Sequence, residues 1–363
     1  MTDAYAAAGV DTRQADRGVA ALVSVLSAID TGRERLSVPL PGHYASVIRV
    51  APNLGVALAT DSVGSKVIVA EQARRFSTIG IDCVAMNVND LICVGAEPLA
   101  LLDYLAVESA DPALLAELAE GLRAGAQDAG VEIPGGEVCQ LPEVIRGHPS
   151  PYGFDLVGSA FGTVALDAIV DGTACTPGDA LIGLPASGVH ANGLTLARRV
   201  LLGDADPAHP GLAMDSRPRE LGGASIADVL LEPTVIYVRA ILELLRSDVP
   251  VHGLAHITGG GLLNLLRLGD GVGFEITAPL PVLPVFSLIA DLGAIGPAEM
   301  WEVFNMGCGF CAVVPAADAP RAVGLLETRH PGTAVIGRVT ESGGRVTVPG
   351  LGIEGEGGRI RRV

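Results

Sequence analysis

Short apolar segments of strand length alternate with longer segments of helical spacing along the whole chain. Residues 55–60 read as a buried strand, and residues 81–94 place apolar side chains three and four apart before Gly95, as a helix does. Asp111 precedes a proline that opens a long helical segment ending near Ala129. Strands and helices mix in both halves and no repeat of 20–50 residues is visible, so the sequence predicts an α+β class fold.

The length of the chain indicates two domains. At roughly 100–200 residues per domain, 363 residues suggest two units. Residues 170–178 are rich in turn-forming residues and are the predicted boundary. We therefore expect two mixed α/β domains, over residues 1–169 and 170–363. Hydrophobic residues make up 49% of the chain and aromatic residues only 4%, so the cores should be aliphatic.

Charge and targeting features narrow the possible partners. The net charge of −17 repels a phosphate backbone, so we expect no nucleic acid partner, although anionic small ligands remain possible where amides or metal ions act locally. No apolar run reaches the roughly 18 residues of a membrane span, and the polar first 18 residues resemble neither a signal nor a transit peptide. Six dispersed cysteines favour reduced thiols in a cytoplasmic protein, and the Cys308–Cys311 spacing alone favours core packing over a metal or redox site.

Lys66 is the only lysine among 24 basic residues. It ends the segment 60–66, which follows a predicted strand and precedes a predicted helix. Such a junction exposes backbone amides at the positive end of a helix, which suits phosphate. Gly64 would let the main chain approach a ligand, Lys66 would add a charge, and Asp61 would hold a divalent cation. The alternative is an ordinary turn with an exposed lysine, since a Walker A loop has more glycines.

Two further acidic segments could complete a metal site. Asn89 and Asp90 interrupt an apolar helix, and a buried carboxylate needs a partner, a metal or a cleft. Gly135 and Gly136 predict a sharp bend that presents the carboxylate of Glu137. Asp61, Asp90 and Glu137 are hard oxygen ligands of the kind Mg²⁺ takes together with phosphate oxygens. Their spacing does not show that they converge, and a polar helix face is the alternative for Asp90.

Two glycine-rich turns in the second half are further candidates for ligand binding. Residues 187–193 contain His190 and Asn192 ahead of a helix. Residues 256–261 begin with His256 and end in three glycines. Glycines lose much conformational entropy on folding, and a ligand that approaches the backbone closely would explain why three of them stand here. A buried structural role is the alternative for His256. The candidate ligand contacts here are His190, Asn192, His256, Gly259 and Gly260.

Taken together, these segments resemble the phosphoribosylformylglycinamidine cyclo-ligase family, also called aminoimidazole ribonucleotide synthetase. The resemblance extends from about residue 5 to residue 348 and is carried by the motif set as a whole. Its markers are Ala8-Gly-Val-Asp11, residues 60–66 and 80–90, Gly95-Ala-Glu-Pro98, Leu102-Asp-Tyr104, Gly135-Gly-Glu137, residues 154–158, 187–193, 232–237, 256–261 and 299–307.

The resemblance implies a dimer formed through the sheet of the first domain, with ATP and Mg²⁺ bound in a cleft completed by the second. The implied reaction converts formylglycinamidine ribonucleotide and ATP into aminoimidazole ribonucleotide, ADP and phosphate. In this interpretation Lys66, His190 and His256 are catalytic, and Asp61, Asp90 and Glu137 bind metal. The ATP contacts are Asp61, Gly64, Lys66, Asn89, Asp90, Gly136, Glu137, Asn192, Gly259 and Gly260.

Sequence departures leave two other functions open. The usual Tyr-Lys-Asp start of the family is Tyr5-Ala6-Ala7 here, and its Gly-Gly-Phe-Gly loop is replaced by residues 39–44. These changes leave a non-catalytic nucleotide-binding paralogue or an ATP-dependent small-molecule kinase as alternatives. Relatives that need a reactive cysteine near either terminus fit poorly, because no cysteine precedes Cys83 and the chain ends in Arg-Arg-Val.

Overall fold

The computed structural model describes residue 9 and residues 12–203, 211–269 and 271–363. Most of the predicted marker at residues 8–11 lies outside these residues. The helices are α1 (Thr12–Leu26), α2 (Lys66–Ala73), α3 (Ser77–Cys93), α4 (Pro112–Ala129), α5 (Leu194–Leu202), α6 (Ile226–Leu231), α7 (Val238–Leu245), α8 (Pro284–Gly293), α9 (Pro297–Val303) and α10 (Ala319–Glu327). Short 3₁₀ turns occupy Leu166–Ala168, Arg219–Leu221, Gly261–Leu268 and Pro349–Leu351.

The first half contains a six-stranded sheet in the order β1-β2-β3-β6-β4-β5. Its strands are β1 (Ser37–Val38), β2 (Ser46–Ala51), β3 (Leu54–Ser62), β4 (Glu97–Val107), β5 (Glu132–Gln140) and β6 (Phe154–Val164). Only β4 and β5 pair in parallel, and α4 connects them as a crossover helix. Helix α3 packs on β3, β4 and β6, and α4 packs on α3, so these helices cover one face of the sheet.

The second half contains an eight-stranded sheet in the order β14-β13-β12-β9-β11-β7-β10-β8. Its strands are β7 (Ala180–Pro185), β8 (Gly253–His256), β9 (Gly273–Ile276), β10 (Cys308–Val314), β11 (Ala334–Thr340), β12 (Arg345–Val348), β13 (Ile353–Glu356) and β14 (Arg359–Arg362). Two mixed sheets with helices confirm the predicted fold class. The boundary between residues 169 and 170 falls between the last strand of one sheet and the first strand of the other, and it stays a prediction.

Helix α4 shows how local sequence sets an element. The Asp111 carboxylate accepts hydrogen bonds from the amides of Ala113 and Leu114, Pro112 occupies the first turn, and Gly130 ends the helix in the left-handed region at φ 76°. Gly121 allows α4 to touch α3, because a Cβ atom there would lie 1.8 Å from the carbonyl oxygen of Ser77.

The segment before α7 differs from its expected conformation. Apolar spacing predicts a helix over residues 234–247, but the helix covers only Val238–Leu245. The amides of Thr234 and Tyr237 are taken by side chains of α3, which the local pattern does not contain. Tertiary hydrogen bonds therefore override helical propensity at this point.

Among the described residues, the face of the first sheet opposite α3, here called the open face, keeps large apolar side chains exposed. Leu58, Leu102, Tyr104 and Phe161 lie on this face with 36–46% of their surface exposed. None of the described helices is long and apolar enough to span a bilayer.

Candidate functional site

A carboxylate–imidazole pair joins the two halves at the centre of the candidate site. His256, at the end of β8, is fully buried, and its Nδ1 lies 2.9 Å from Oδ1 of Asp90 on α3. Its Nε2 lies 3.5 Å from the side-chain nitrogen Nδ2 of Asn89. An ionised carboxylate only accepts hydrogen bonds, so Nδ1 donates and Nε2 accepts. Since 19% of the Asp90 side chain is exposed and none of His256 is, Asp90 is the member that faces solvent.

Asp61, near the end of β3, lies close to this pair. Its Oδ1 accepts a hydrogen bond from the amide of Ser62 at 2.8 Å. Burial raises the pKa of the Asp61 carboxyl, and the negative charge of Asp90 raises that pKa further, while His256 lowers it. The structure therefore brings two predicted carboxylates and the predicted histidine together.

Glu137 does not join Asp61 and Asp90 within one chain. Asp61 pairs with Gly158, Gly158 with Asp103, and Asp103 with Gly136, so three strand spacings, about 14 Å, separate the Asp61 and Gly136 backbones. Directly paired residues share a face and successive residues alternate, so Glu137 projects from the open face and Asp61 from the helical face. Among the described residues, no cluster of three or more His, Cys, Asp or Glu side chains could hold a metal ion.

Gly136 lies against the Asp103 side chain of the neighbouring strand. A Cβ atom at this position would lie 2.3 Å from Oδ1 of Asp103. Gly136 therefore makes room for that carboxylate on the helical face of the edge strand. The predicted three-carboxylate site of Asp61, Asp90 and Glu137 is thus reduced to two members in a single chain.

Gly64 and Lys66 have different surroundings although they are neighbours in sequence. Gly64 is exposed at φ 67°, and a Cβ atom there would meet nothing within 4 Å, so its backbone is open to a ligand. Lys66 begins α2 with a fully buried side chain. Its Nζ lies 2.8 Å from Oδ2 of Asp82 and donates to the carbonyl oxygen of Glu232 at 2.6 Å. The predicted role of Lys66 as a phosphate contact is not supported, because its ammonium group is enclosed.

Asn89, a predicted ATP contact, has both ends of its side-chain amide engaged within the chain. Its side chain is fully buried, its Nδ2 donates to the carbonyl oxygen of Val235 at 2.8 Å, and its Oδ1 accepts from the amide of Tyr237 at 3.0 Å. Both ends of the amide therefore hold the extended segment ahead of α7. That segment also carries Thr234, whose amide and hydroxyl donate to Asp82 at 2.8 and 2.6 Å.

His190 is buried in a strained backbone conformation. Its φ is 61°, a region that non-glycine residues rarely adopt, and such strain is often found at functional sites. The amide of Ser187 donates to Nε2 at 3.2 Å, which leaves the proton on Nδ1. That Nδ1 has no hydrogen-bond partner among the described residues. Burial lowers the pKa of His190 well below its usual value, and nearby His256 and Lys66 lower it further, so the ring is neutral.

The glycine-rich turn after His256 faces Asn192. Asn192 Oδ1 is the nearest atom, at 3.5 Å, to a Cβ atom built on Gly259. Gly260 takes φ 98°, which favours glycine, and Gly261 lies against the backbone of Trp301, 2.1 Å from a built Cβ atom. Backbone geometry therefore accounts for Gly260 and Gly261, whereas exposed Gly259 remains available for close approach by a ligand.

Asp82 and Thr234 are important residues that sequence reasoning missed. Asp82 lies in the apolar helix α3 with no cation within one helical turn on either side, and a carboxylate in that setting signals a partner from elsewhere in the chain. Its partners Lys66 and Thr234 are 16 and 152 residues away. The only lysine of the chain supplied a signal, but it pointed to an internal ion pair instead of a ligand.

Comparisons with known proteins agree with this two-part organisation. The AIR synthase related protein N-terminal domain matches residues 42–164, and the corresponding C-terminal domain matches residues 176–349. The chain is 44% identical to the phosphoribosylformylglycinamidine cyclo-ligase of Methanothermobacter thermautotrophicus, over 94% of this chain and 96% of that protein. It is also 44% identical to the enzyme of the same name from Thermococcus gammatolerans, over 97% and 98% of the two chains.

Solved structures share the fold at lower identity. Thiamine-monophosphate kinase from Stenotrophomonas maltophilia superposes with a TM-score of 0.60 at 20% identity, covering 88% of this chain and 93% of that chain. The hydrogenase maturation protein HypE in complex with ATP gives a TM-score of 0.56 at 20% identity, covering 86% of each chain. The two domain matches and the nearly full-length identity confirm the resemblance found in the sequence: the chain belongs to the AIR synthase, or phosphoribosylformylglycinamidine cyclo-ligase, family.

Proposed function

We propose that this protein closes the imidazole ring of formylglycinamidine ribonucleotide in an ATP-dependent reaction of purine biosynthesis. The products are aminoimidazole ribonucleotide, ADP and phosphate. The observation that carries the proposal is the Asp90–His256 pair, which joins the two halves beside Asp61 in a chain of this family. We expect the enzyme to act in the cytoplasm, where its six free cysteines would remain reduced.

The two neighbouring carboxylates suit a magnesium ion bound together with ATP. Mg²⁺ in phosphoryl-transfer enzymes is held by one or two carboxylates plus phosphate oxygens and water, and Asp61 and Asp90 supply that number. Burial raises the pKa of the Asp61 carboxyl and the negative charge of Asp90 raises it further, and a bound cation would relieve the repulsion between these two carboxylates. When bound, the ion would neutralise charge on the phosphates. The open backbone at Gly64 and Gly259, together with Asn192, would contact the nucleotide.

The chemistry requires a better leaving group on the substrate. Transfer of a phosphoryl group to the formamide oxygen converts that oxygen into phosphate, and the amidine-derived nitrogen then attacks the activated carbon. Such a reaction depends on positioning and charge neutralisation more than on a protein nucleophile.

The two buried histidines would have different duties. His256 would position Asp90, because it is wholly buried and its Nδ1 is bonded to that carboxylate. His190 offers a neutral ring with an unpartnered Nδ1–H donor, which suits an oxygen of the substrate or of the transferred phosphoryl group. Lys66 would act only through the structure of the site.

We propose a homodimer formed through the open face of the first sheet. Leu58, Leu102, Tyr104 and Phe161 offer a contiguous apolar surface there, and partly exposed apolar patches of this kind mark interaction sites. Glu137 lies on the same face, so it would reach a bound nucleotide only from a second copy of the chain.

Purified protein incubated with ATP, Mg²⁺ and formylglycinamidine ribonucleotide tests the proposal. We expect aminoimidazole ribonucleotide to accumulate with one ADP per ring closed. Asp90→Asn should lower kcat at least a hundredfold, or ~2.7 kcal/mol, whereas the exposed control Asp248→Asn should stay within twofold of wild type.

The same assay separates the alternatives. Tight ATP binding with no turnover would support a non-catalytic paralogue and contradict the proposal. ADP release with a stable phosphorylated product, without ring closure, would support a small-molecule kinase.

A further inference from the structure

A groove beside the candidate site has no assigned ligand. It has a volume of about 460 Å³ and lies between residues 39–43 and the 3₁₀ turn Gly261–Leu268. Ligand pockets commonly enclose roughly 300–1,000 Å³, so a ligand of small-molecule size fits. His43, Asp171, Thr173 and Arg267 supply its polar groups, and prolines and leucines supply the rest of its lining. We call it the Arg267 groove.

Arg267 presents an unneutralised cation to the groove. Its guanidinium lies 4.7 Å from the ring centroid of Tyr44, a cation–π contact that holds it in place. None of the described carboxylates forms an ion pair with it, although the chain as a whole is strongly acidic. A planar guanidinium with a free fork is suited to a phosphate group.

The same residues connect the groove to the glycine-rich turn of the candidate site. Tyr44 is buried, and its hydroxyl donates to the carbonyl oxygen of Asn264 at 3.0 Å. The Asn264 side chain in turn donates to the carbonyl oxygens of Gly259 and Gly261 at 3.2 and 2.9 Å. A ligand held by Arg267 would therefore lie next to the turn that carries exposed Gly259.

His43 adds two polar atoms with no partner. Neither ring nitrogen has a hydrogen-bond partner among the described residues, and both are buried. Burial lowers the pKa of His43, while Asp171 and Asp90 raise it and Arg267 lowers it. A neutral ring offers one donor and one acceptor, and leaving both unpaired is unfavourable unless a ligand or water meets them.

Asp171 makes the groove unsuitable for a bare anion but suitable for a sugar phosphate. Its Oδ1 accepts from the amide and hydroxyl of Thr173 at 3.0 and 2.6 Å, which leaves Oδ2 for another donor. Carboxylates commonly accept hydrogen bonds from ribose hydroxyls. A cation and a carboxylate in one groove thus match a phosphate and a hydroxylated ring in one ligand.

We propose that the Arg267 groove binds the ribose 5-phosphate part of the substrate, with Arg267 on the phosphate, Asp171 on a ribose hydroxyl and His43 as a further contact. This inference rests on the proposed function for the identity of the substrate, but the groove itself is testable without turnover. It assigns to the replaced loop, residues 39–44, a role in holding the ribonucleotide.

Calorimetric titration with ribose 5-phosphate, in the absence of ATP, tests the groove directly. We expect saturable binding to wild-type protein, weakened about ten- to a hundredfold by Arg267→Met and partly restored by Arg267→Lys. His43→Phe keeps an aromatic ring but removes both nitrogens, and should weaken binding about three- to tenfold. Arg338→Met, which removes another exposed arginine of the second half, is the matched control and should bind as wild type does.

Several results would overturn the proposal. The first is that wild-type protein shows no saturable binding, and the second is that Arg267→Met binds ribose 5-phosphate within twofold of wild type. The others are that inorganic phosphate binds as tightly as ribose 5-phosphate, or that ATP displaces ribose 5-phosphate. In turnover, Arg267→Met should raise KM for the ribonucleotide while KM for ATP stays within twofold. Binding of ribose 5-phosphate without ring closure by wild-type protein would refute the proposed function and leave the groove intact.

Discussion

The buried ion pair between Lys66 and Asp82 makes the most specific prediction about this structure. Neither side chain is exposed, and the pair also holds the second half of the chain through Glu232 and Thr234. Lys66→Met keeps an unbranched apolar stem but leaves the Asp82 carboxylate without its cation. Removing one partner of a buried pair destabilises a protein by about 3–5 kcal/mol.

The expected change in melting temperature follows from the size of the chain. The unfolding entropy is about 2.1 cal/mol/K per residue, summed over 363 residues. If the chain unfolds as one unit, a loss of about 3–5 kcal/mol divided by that entropy lowers Tm by about 4–7 °C. Equilibrium unfolding in urea measures the free energy directly. Asp82→Asn should also destabilise, and the double variant Lys66→Met/Asp82→Asn should lose less than the two single changes together, because the uncompensated charge is gone.

An exposed ion pair across the same two halves is the control. Arg75 and Asp228 lie 2.7 Å apart with 48% and 39% of their side chains exposed, and Arg75→Met should cost no more than about 1 kcal/mol. If the unfolding free energy of Lys66→Met stays within 1 kcal/mol of wild type while ATP affinity falls strongly, the buried pair does not stabilise the fold and Lys66 contacts phosphate instead.

Three further predictions concern packing, pH and assembly. Gly121→Ala should lower the free energy of unfolding by at least about 1–3 kcal/mol, because its Cβ atom would lie 1.8 Å from the Ser77 carbonyl oxygen. Gly324→Ala is the control: this helical glycine has open space around it, and the change should raise the free energy of unfolding by up to about 1 kcal/mol. Equal urea midpoints for the two variants would contradict this prediction. Burial lowers the pKa of His190 and His330, so below about pH 6.5 the unfolded chain binds more protons than the folded one. The free energy of unfolding should therefore fall as the pH drops through that value. His330→Gln should make the free energy of unfolding, measured in urea, depend less on pH between pH 7 and 5. Leu102→Arg on the open sheet face should give monomers in sedimentation equilibrium. Leu292→Arg, at a similarly exposed leucine elsewhere, should remain dimeric. Dimers that persist in Leu102→Arg would contradict assembly through this face.

Local patterns predicted the elements whose causes are local. Asp111, Pro112 and Gly130 define α4 through capping and backbone preferences that are visible in the sequence itself. The mixing of strands and helices in both halves likewise predicted the fold class, and Asp61, Asp90 and His256 do lie together.

Where the structure differs from the sequence-based expectation, the cause is a distant contact or the strand register. Lys66 looks like a phosphate ligand in its own segment, but its partners lie at Asp82 and Glu232. Glu137 looks like a third metal ligand until the pairing across four strands places it on the opposite face from Asp61. The extended segment before α7 is set by the side chains of α3, so its own sequence misleads.

We expect this chain to activate the formamide oxygen of its substrate as a phosphate leaving group. Formylglycinamidine ribonucleotide labelled with ¹⁸O at that oxygen, incubated with the protein, unlabelled ATP and unlabelled water, follows the fate of this atom. The label should appear in the released inorganic phosphate, in step with ring closure. Ring closure accompanied by unlabelled phosphate, with the ¹⁸O recovered in water, would contradict this expectation.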